Sequence, residues 1–330
     1  MKRIHSFARH SAAGSTFGSL LGICLLSLLL TGCWDRTEIN DIAIVLASSI
    51  DMEGEDFLIG LQVALPGQLG GSSGGGGGTG GSQPYHIYAE KGATARQALT
   101  KLQQRISREL FFAHRRIILI NEELARTRKS SMSDILLQHP ENRLTSHLII
   151  TKGKALDLLK TQPKLERFSG EAIREIAVSP GVIKMNLKDL LLLSFHSEGD
   201  TIAIYMGTEA DQTSDGEDKP TEVGILGYAL FKHGQMVDVF TGDAAKGLTW
   251  LTRQPPLLDY RIEDQGVQLT VLVDQGMTHI RPVLHGNRID FETTIRARAT
   301  IAEEESLLDV LSEERMRKLE ERLNEQIKQS

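Results

Sequence analysis

A run of apolar residues near the amino terminus limits which part of this chain can fold as a globular protein. Residues 17–30 (FGSLLGICLLSLLL) carry no charge, Lys2, Arg3 and Arg9 precede them, and Cys33 follows. A basic segment followed by a short apolar segment is typical of an export signal. A membrane-spanning helix needs about 20 apolar residues, so this run is short for a span. An uncleaved single-span anchor is the alternative interpretation.

The residues at the end of the run indicate where the signal is removed. Leu30, Thr31, Gly32 and Cys33 resemble the lipobox of bacterial lipoproteins, an aliphatic residue and two small residues before a cysteine. The resemblance implies that residues 1–32 are a lipoprotein signal peptide. It also implies that signal peptidase II recognises Leu30, Thr31 and Gly32, and that Cys33 receives a diacylglycerol on its thiol. Cys33 would then be the first residue of the mature chain.

Cysteine content and charge restrict the chemistry of the mature chain. The other cysteine, Cys24, lies inside the signal peptide. An acylated Cys33 cannot form a disulfide, bind a metal as a thiolate or act as a catalytic nucleophile. Residues 33–330 hold 34 basic and 43 acidic side chains, a net charge of −9. Without a basic tract we expect no nucleic-acid partner. Attachment to the lipid bilayer must therefore come from the acyl chains on Cys33.

The first half of the mature chain mixes strand and helix patterns. Alternating and β-branched residues predict a hairpin over residues 42–50 and 57–65. Nine glycines among residues 70–81 predict a flexible Gly-rich loop, because polyglycine loses too much backbone entropy in regular structure. Thr94 and Gln97 have the spacing of a capping box that opens a helix over 94–110, and Asn186 is the predicted N-cap of another. The remaining predicted elements are strands at 115–120 and 144–151 and helices at 154–162, 165–178 and 186–195.

A polar segment without apolar periodicity, residues 207–222, is the predicted linker between domains. Beyond it strands dominate, with a short helix over 244–253 and a terminal helix in which Leu308, Leu311, Leu319, Leu323 and Ile327 share one face. Neither half has the regular strand–helix alternation of a doubly wound nucleotide-binding fold. We therefore predict an α+β fold with mixed sheets and packed helices in two to three domains. These are an N-terminal α+β part over 33–206 and a C-terminal α+β domain over 223–330.

The sequence motifs of common exported enzymes give no support for catalysis. There is no H-E-x-x-H or S-x-x-K, no two histidines lie four residues apart, and G-x-S-x-G spacing occurs only inside the Gly-rich loop at residues 70–75. His114 is the most conspicuous single residue, but a lone histidine beside a strand is more often structural than catalytic. We interpret Glu171 and Glu175 as a solvated helix face and Trp250 as a core residue. The sequence predicts no catalytic residue, no metal site and no cofactor.

Several blocks of sequence, in order along the chain, resemble the Ger(x)C family of spore germination lipoproteins. Trp34, Asp35, Glu38, Asn40 and Asp41, directly after Cys33, resemble the N-terminal motif of the mature family members. Further similar blocks are residues 91–99 (KGATARQAL), 111–125 (FFAHRRIILINEELA), 141–159 (ENRLTSHLIITKGKALDLL) and 222–253 (EVGILGYALFKHGQMVDVFTGDAAKGLTWLTR). Gln97 stands where the family usually has Glu. The Gly-rich loop is an insertion, and family members usually continue past the terminal helix, so either the sequence is a fragment or its C-terminal domain lacks an edge element.

The resemblance implies a role that composition and spacing do not give. Family members are non-enzymatic C subunits of nutrient germinant receptors, with a mixed α/β fold, on the outer face of the spore inner membrane. The implied partners are the integral-membrane A and B subunits, and no residue is assigned to ligand binding. Two alternatives remain open: a solute-capturing lipoprotein of a transporter, which would need a cleft between two lobes, and a cell-wall hydrolase.

Overall fold

The computed structural model describes most of the chain beyond residue 37. The described residues are Gly22, 38–68, 83–127, Leu136, 142–162, 164–195, 200–210, 221–252, 258–264, 267–304 and 312–330. The signal-peptide residues Leu30, Thr31 and Gly32, the lipidation residue Cys33, and Trp34 and Asp35 lie outside this part, as do the Gly-rich loop, Leu308 and Leu311. The chain divides into two units, Met1–Ile42 and Ala43–Ser330.

The second unit contains two sheets and their packed helices, and the first strand begins at the last residue of the first unit. The strands are β1 (Ile42–Glu53), β2 (Asp56–Ala64), β3 (Tyr85–Gly92), β4 (Glu109–Phe111), β5 (Ile117–Asn121), β6 (His147–Thr151), β7 (Thr201–Ala210), β8 (Thr221–Lys232), β9 (Gln235–Thr241), β10 (Leu258–Asp264), β11 (Val267–His285) and β12 (Arg288–Glu304). The helices are α1 (Ala95–Arg105), α2 (Glu122–Thr127), α3 (Ala155–Lys160), α4 (Ser169–Ala177), α5 (Leu187–Phe195), α6 (Gly242–Leu251) and α7 (Glu313–Gln329). Short 3-10 turns occupy Ile39–Asp41 and Pro66–Gln68.

The larger sheet is mixed, which agrees with the predicted α+β class. Its strand order is β3-β2-β1-β5-β6-β7-β8-β9, and β4 also pairs with β1. The predicted hairpin of β1 and β2 is antiparallel, as are β2–β3, β7–β8 and β8–β9. Strands β1, β5, β6 and β7 pair in parallel. β5 is an inner strand covered on both faces, which explains its unbroken apolar run Ile117–Ile120.

Helices cover both faces of the larger sheet. Helices α1, α2 and α5 pack on one face, where Leu102, Leu124 and Leu190 join a common apolar core. Helices α3 and α4 pack on the other face through Leu158 and Ile173. Each of these helices therefore buries its apolar side against the sheet, and α2 is a helix that the sequence patterns did not predict.

The first helix is shorter than predicted. Its start is confirmed, because Thr94 Oγ1 accepts a hydrogen bond from Gln97 N at 3.1 Å. It ends at Arg105 because Gln103 turns the chain: its amide donates to Arg108 O and accepts from Leu110 N, both at 2.9 Å. The residues that follow form β4, so the prediction of helix up to residue 110 is wrong.

The ends of the predicted linker are strands. Residues 207–210 belong to β7 and 221–222 to β8, and these two strands pair antiparallel from Thr201 opposite Phe231 to Ala210 opposite Thr221. Paired backbone groups can hold a polar sequence in strand conformation even where side-chain periodicity is absent. Residues 211–220 lie outside the described part. The division of the chain into domains at this segment stays a prediction.

A smaller sheet with the order β10-β11-β12 forms the C-terminal part. Its core joins Ile262, Leu269 and Val271 to Leu319 of α7. A second apolar cluster joins Trp250 of α6 to Tyr260 and Val273, and Trp250 Nε1 donates to Tyr260 Oη at 2.8 Å. The prediction that Trp250 is a core residue is confirmed, and so is the packing of the terminal helix against the sheet.

Strands β11 and β12 extend beyond the end of β10 as a two-stranded ribbon, residues 274–285 and 288–298. The sequence predicts separate strands before and after residues 275–278, but these residues continue one strand, with a register shift between Val273 and Gln275. Pro282 is tolerated within β11 because, among the residues that the structure describes, this part of the strand has a neighbour on one side only.

Among the helices that the structure describes, none has the length and apolar character needed to span a bilayer.

Candidate functional site

The described residues of the predicted N-terminal motif lie in an exposed turn. Glu38 N donates to Asp41 Oδ2 at 3.3 Å, and Asp41 N donates to Glu38 O at 2.9 Å, which closes the 3-10 turn around Asn40. All three side chains are exposed, and Ile39 beside them is 70% exposed. These side chains are therefore available for contact with another molecule.

A surface cleft of about 520 Å³ lies where β1 and β5 begin, β2 ends and α4 begins. We call it the amino-end cleft. Its apolar part is formed by Ile44, Leu46, Ala64 and Phe168. Its polar part includes His114, Arg116, Glu166, Arg167 and Glu171. The cleft can therefore hold a partly apolar ligand or chain segment.

An ion-pair network fixes the polar rim of the amino-end cleft. Glu171 Oε1 lies 3.2 Å from Arg116 Nη1 and 2.7 Å from Arg174 Nη2. The hydrogen bond from Arg174 is the main cause that lowers the pKa of Glu171, and Arg116 adds to it. Arg174 also pairs with Glu175. The two glutamates are thus held by arginines on a partly exposed helix face.

His114 lies in the amino-end cleft without the surroundings of a catalytic base. It is exposed, and its ring centroid lies 5.8 Å from that of Phe111. The described residues that line the cleft include no Ser, Cys or Lys that a histidine could activate. The structure therefore brings His114 to the cleft but not beside a nucleophile.

The opposite edge of the sheet, at the carboxyl ends of the parallel strands, is where open α/β folds usually bind ligands. Here its polar side chains are used to begin helices. Asp51 accepts from Ala155 N at 2.6 Å and Leu156 N at 2.9 Å. Asn121 Oδ1 accepts from Glu123 N at 2.8 Å and Leu124 N at 3.2 Å. These groups hold α3 and α2 in place and have a structural role.

Burial raises the pKa of Asp51 to about 6, although the two backbone N–H groups of α3 act in the opposite direction. Sequence reasoning missed this residue, because a single aspartate at the end of a strand carries no distinctive signal. Its burial depends on α3, which lies over a hundred residues later in the sequence.

A buried arginine, Arg115, was also missed. Its guanidinium donates to Ser48 Oγ at 3.1 Å and to Asn142 Oδ1 at 2.6 Å, and it lies 5.2 Å above the Phe112 ring. Burial lowers the pKa of Arg115 to about 10, so the side chain stays charged at neutral pH. Arg115 ties β1 to the segment before β6, and the adjacent Arg116, not Arg115, reaches the cleft.

Among the residues that the structure describes, no three His, Cys, Asp or Glu side chains lie close enough together to hold a metal ion.

Two family models match successive parts of the chain. Residues 35–208 match the model described as "Spore germination protein N-terminal domain". Residues 226–330 match the model described as "Spore germination B3/ GerAC like, C-terminal". Together they cover most of the chain from the second residue after Cys33.

Several proteins named as spore germination proteins are similar to this chain over much of their length. "Putative spore germination protein YfkR" of Bacillus subtilis (strain 168) is 33% identical over 311 residues, which are 92% of this chain and 79% of that protein. "Spore germination protein KC" of the same organism is 29% identical over 251 residues, 69% of this chain and 61% of that protein. Among solved structures, the "Crystal Structure of the GerBC protein" matches with a TM-score of 0.51. It is 16% identical and covers 86% of this chain and 79% of that chain, so this likeness supports the fold alone.

Proposed function

Because the chain belongs to the Ger(x)C family of spore germination proteins, we propose that it is the lipid-anchored, non-catalytic C subunit of a nutrient germinant receptor. The observation that carries this proposal is the ordered match of both family models. The N-terminal match begins at residue 35, the second residue after Cys33, which the lipobox resemblance marks as the start of the mature chain. The relatives it aligns with are named spore germination proteins.

A non-catalytic role agrees with the chemistry of the two edges of the larger sheet. The amino-end cleft has an apolar part and an arginine–glutamate rim, without a nucleophile beside a base in the described lining. At the other edge Asp51 and Asn121 bind backbone N–H groups of the helices that follow. These arrangements suit a protein that acts by holding partners.

Membrane attachment rests in this proposal on Cys33. A diacylglycerol on its thiol supplies two acyl chains, and two chains hold a protein on a bilayer where one chain is marginal. The mature chain is acidic, so anionic lipid headgroups would repel it and the acyl chains must carry the attachment. The location is the outer face of the spore inner membrane, beside the A and B membrane subunits.

The test is deletion of the gene in its native spore former, followed by complementation. We expect deletion to abolish germination in response to one class of nutrient and to leave germination by a non-nutrient trigger intact. The wild-type gene should restore the response, and Cys33→Ala should fail to restore it because the protein is neither acylated nor retained in the membrane. Membrane retention and labelling with a fatty-acid analogue are measured alongside germination.

Cys24→Ala is the matched control, because it removes the other cysteine without touching the lipobox. It should restore the response fully. An acylated, membrane-bound Cys33→Ala protein would contradict the lipid anchor. An unaltered nutrient response in a strain that lacks this gene and all its paralogues would contradict the receptor role, and loss of solute uptake in that strain would favour the transporter lipoprotein.

A further inference from the structure

The turn that precedes β6 presents an apolar side chain at the surface. Arg143 O accepts a hydrogen bond from Ser146 N at 2.9 Å, so Leu144 and Thr145 occupy the two central positions of a β-turn. Leu144 is 50% exposed there. Gly, Pro, Asn, Asp and Ser are the usual residues of such turns, so the turn itself gives no reason for a leucine.

This turn is held firmly by its surroundings. Leu144 O accepts from Lys188 N of α5 at 3.0 Å. On its inner side Ser146 Oγ donates to Arg115 O at 2.5 Å, and the buried guanidinium of Arg115 donates to Asn142 Oδ1 at 2.6 Å. The exposure of Leu144 is therefore a fixed feature of the fold.

Helix α5 continues the same surface. Lys188 and Leu192 lie one turn apart on α5, and both are exposed, Leu192 to 49%. Lys188 is in the first turn of the helix, where a cation opposes the helix dipole, so it does not stabilise α5. Arg143 is exposed beside Leu144 and donates to Thr145 Oγ1 at 2.8 Å. Neither Arg143 nor Lys188 is ion-paired within the residues that the structure describes. We call Arg143, Leu144, Lys188 and Leu192 the leucine–lysine surface.

The leucine–lysine surface lies at the edge of the larger sheet where the parallel strands begin. Arg116 N donates to Leu46 O at 2.9 Å and His147 N donates to Arg116 O at 2.8 Å, so β5 and β6 start level with the first half of β1. Eight residues separate Cys33 from Ile42, the first residue of β1, and an extended chain of this length spans at most about 30 Å. A lipid anchor on Cys33 would keep the start of β1 within that distance of the bilayer.

The two edges of the larger sheet differ in charge. At the edge with the leucine–lysine surface, Lys184 is a further exposed cation, and burial together with the charges of Arg174 and Lys184 lowers the pKa of His147. Glu171 in this region is paired with Arg116 and Arg174. At the opposite edge, the turn between β1 and β2 and the start of α2 carry acidic side chains, namely Glu53, Glu55, Asp56, Glu122 and Glu123. An anionic surface would attract the first edge and repel the second.

We propose that the leucine–lysine surface rests on an anionic lipid bilayer. Leu144 and Leu192 lie at the boundary between headgroups and acyl chains, and Arg143 and Lys188 contact lipid phosphates. Leucines beside cations are the side chains that bind a protein at this boundary. The inference rests on the proposed lipid anchor: the acyl chains retain the protein, whose net charge is negative, and this surface fixes which end of it faces the membrane.

The leucine–lysine surface and the end of the given sequence lie on different faces of the larger sheet. All four residues of the surface belong to residues 35–208, which the N-terminal family model matches. Ser330 lies beside Gly247 of α6. Ala245 and Leu248 of α6 pack on the face that α3 and α4 cover, whereas α5 packs on the other face. Any chain that follows Ser330 would therefore start from the face opposite to α5.

The test is site-specific fluorescence of the full-length protein on lipid vesicles, in a Cys24→Ala background. An acylated Cys33 leaves no free thiol, so one introduced cysteine can carry an environment-sensitive dye. We expect the dye on Leu144→Cys to shift its emission to the blue on vesicles of phosphatidylglycerol and phosphatidylcholine, and to be quenched by lipids with a spin label near the headgroup. Asp56→Cys is the matched control, because it is exposed at the opposite edge of the sheet, and its dye should emit as in water.

A charge reversal tests the contact with phosphates. Lys188→Glu added to Leu144→Cys should lower the ratio of bilayer-bound to free dye about five-fold on these vesicles, the effect of one basic residue at an anionic surface. The variant should still fold, because an acidic residue in the first turn favours the helix. Lys152→Glu, which changes an exposed lysine at the opposite edge by the same charge, should leave the ratio unchanged.

Three results would each overturn the proposal: equal emission from the dyes at residues 144 and 56, equal effects of Lys188→Glu and Lys152→Glu, or a blue shift at residue 144 in native membranes but not on vesicles of lipid alone. The last result would mean that a membrane protein covers the surface. Acylation of Cys33 is measured in the same samples, and an unacylated Cys33 would contradict the lipid anchor instead. An uncleaved signal would then hold the chain on the vesicle, and the two dye positions are compared with Cys33→Ala.

Discussion

At the scale of single residues, Asp51 makes the stability of the protein depend on pH in an unusual direction. Burial raises its pKa to about 6 in the folded chain, above its usual value of 3.8. The folded state therefore binds this proton more tightly than the unfolded state does. Its contribution to stability is fully present below pH 3.8 and is lost as the pH rises through 6.

Asp51→Asn should remove this titration. We expect the free energy of unfolding of the wild type, relative to the variant, to fall by about 2–3 kcal/mol between pH 4 and pH 7. Urea unfolding of the two proteins at several pH values in this window measures the difference. Asp56→Asn, an exposed aspartate in β2, is the matched substitution. Parallel pH profiles for wild type and Asp51→Asn would refute the prediction.

At the scale of elements, Gly170 determines how closely α4 approaches the sheet. A Cβ at this position would lie 2.7 Å from Ala47 Cβ and 2.7 Å from Gln62 Oε1. Gln62 cannot move aside freely, because it is buried, accepts from Gly170 N at 3.1 Å and donates to Ser169 Oγ at 2.7 Å. The glycine thus permits both the close approach and the buried hydrogen bonds.

Gly170→Ala should destabilise the fold by about 1–3 kcal/mol through overpacking, although alanine favours helix formation. The change is measured as a shift of the urea midpoint at constant slope. Glu175→Ala, on the exposed side of the same helix, should stay within about 0.5 kcal/mol of wild type. Equal stability of the two variants would mean that α4 tolerates a larger separation from the sheet.

Most elements could be predicted from periodicity and capping residues, because these signals are local. Asn186 is an example: it caps α5 by accepting from Asp189 N at 3.1 Å, as its place in the sequence indicates. The failures have non-local causes. The end of α1 depends on the side chain of Gln103 and on the pairing of β4 with β1. The single strand β11 contains a register shift at Val273–Gln275, and residues 275–278 carry no sequence signal for continuing the strand.

At the scale of the whole molecule, the strand order could not be predicted. Strand β1 pairs in parallel with β5, and β6 with β7, which joins residues far apart in the sequence. The sequence of each of these strands contains no signal that identifies its neighbour in the sheet. The amino-end cleft and the surroundings of Arg115 follow from that order, so they were also out of reach. The lipobox and Cys33 lie outside the described residues and stay predictions.

The segment predicted as a linker, residues 207–222, begins in β7 and ends in β8 of the larger sheet. A fragment that ends before this segment therefore lacks part of the sheet. Tyr228 and Phe231 of β8 belong to the cores on the two faces of the sheet. A chain ending at residue 206 lacks both side chains and leaves β7 as an exposed edge.

We expect a fragment of residues 43–206 to aggregate or to melt without a cooperative transition, whereas a fragment of residues 43–252 should melt cooperatively. Circular dichroism and size-exclusion chromatography compare the two, and a monomeric, cooperative 43–206 fragment would instead support an independent domain.

The central position of β1 also matters for mechanical load. The strand that follows the proposed lipid anchor has β2 on one side and β5 on the other, with paired residues from Val45 to Glu53 and from Ala47 to Ile50. A pull on the chain ahead of this strand cannot peel it away as it could peel an edge strand. The hydrogen bonds to two neighbours must break together, so a tether at this end is joined to an inner strand of the sheet.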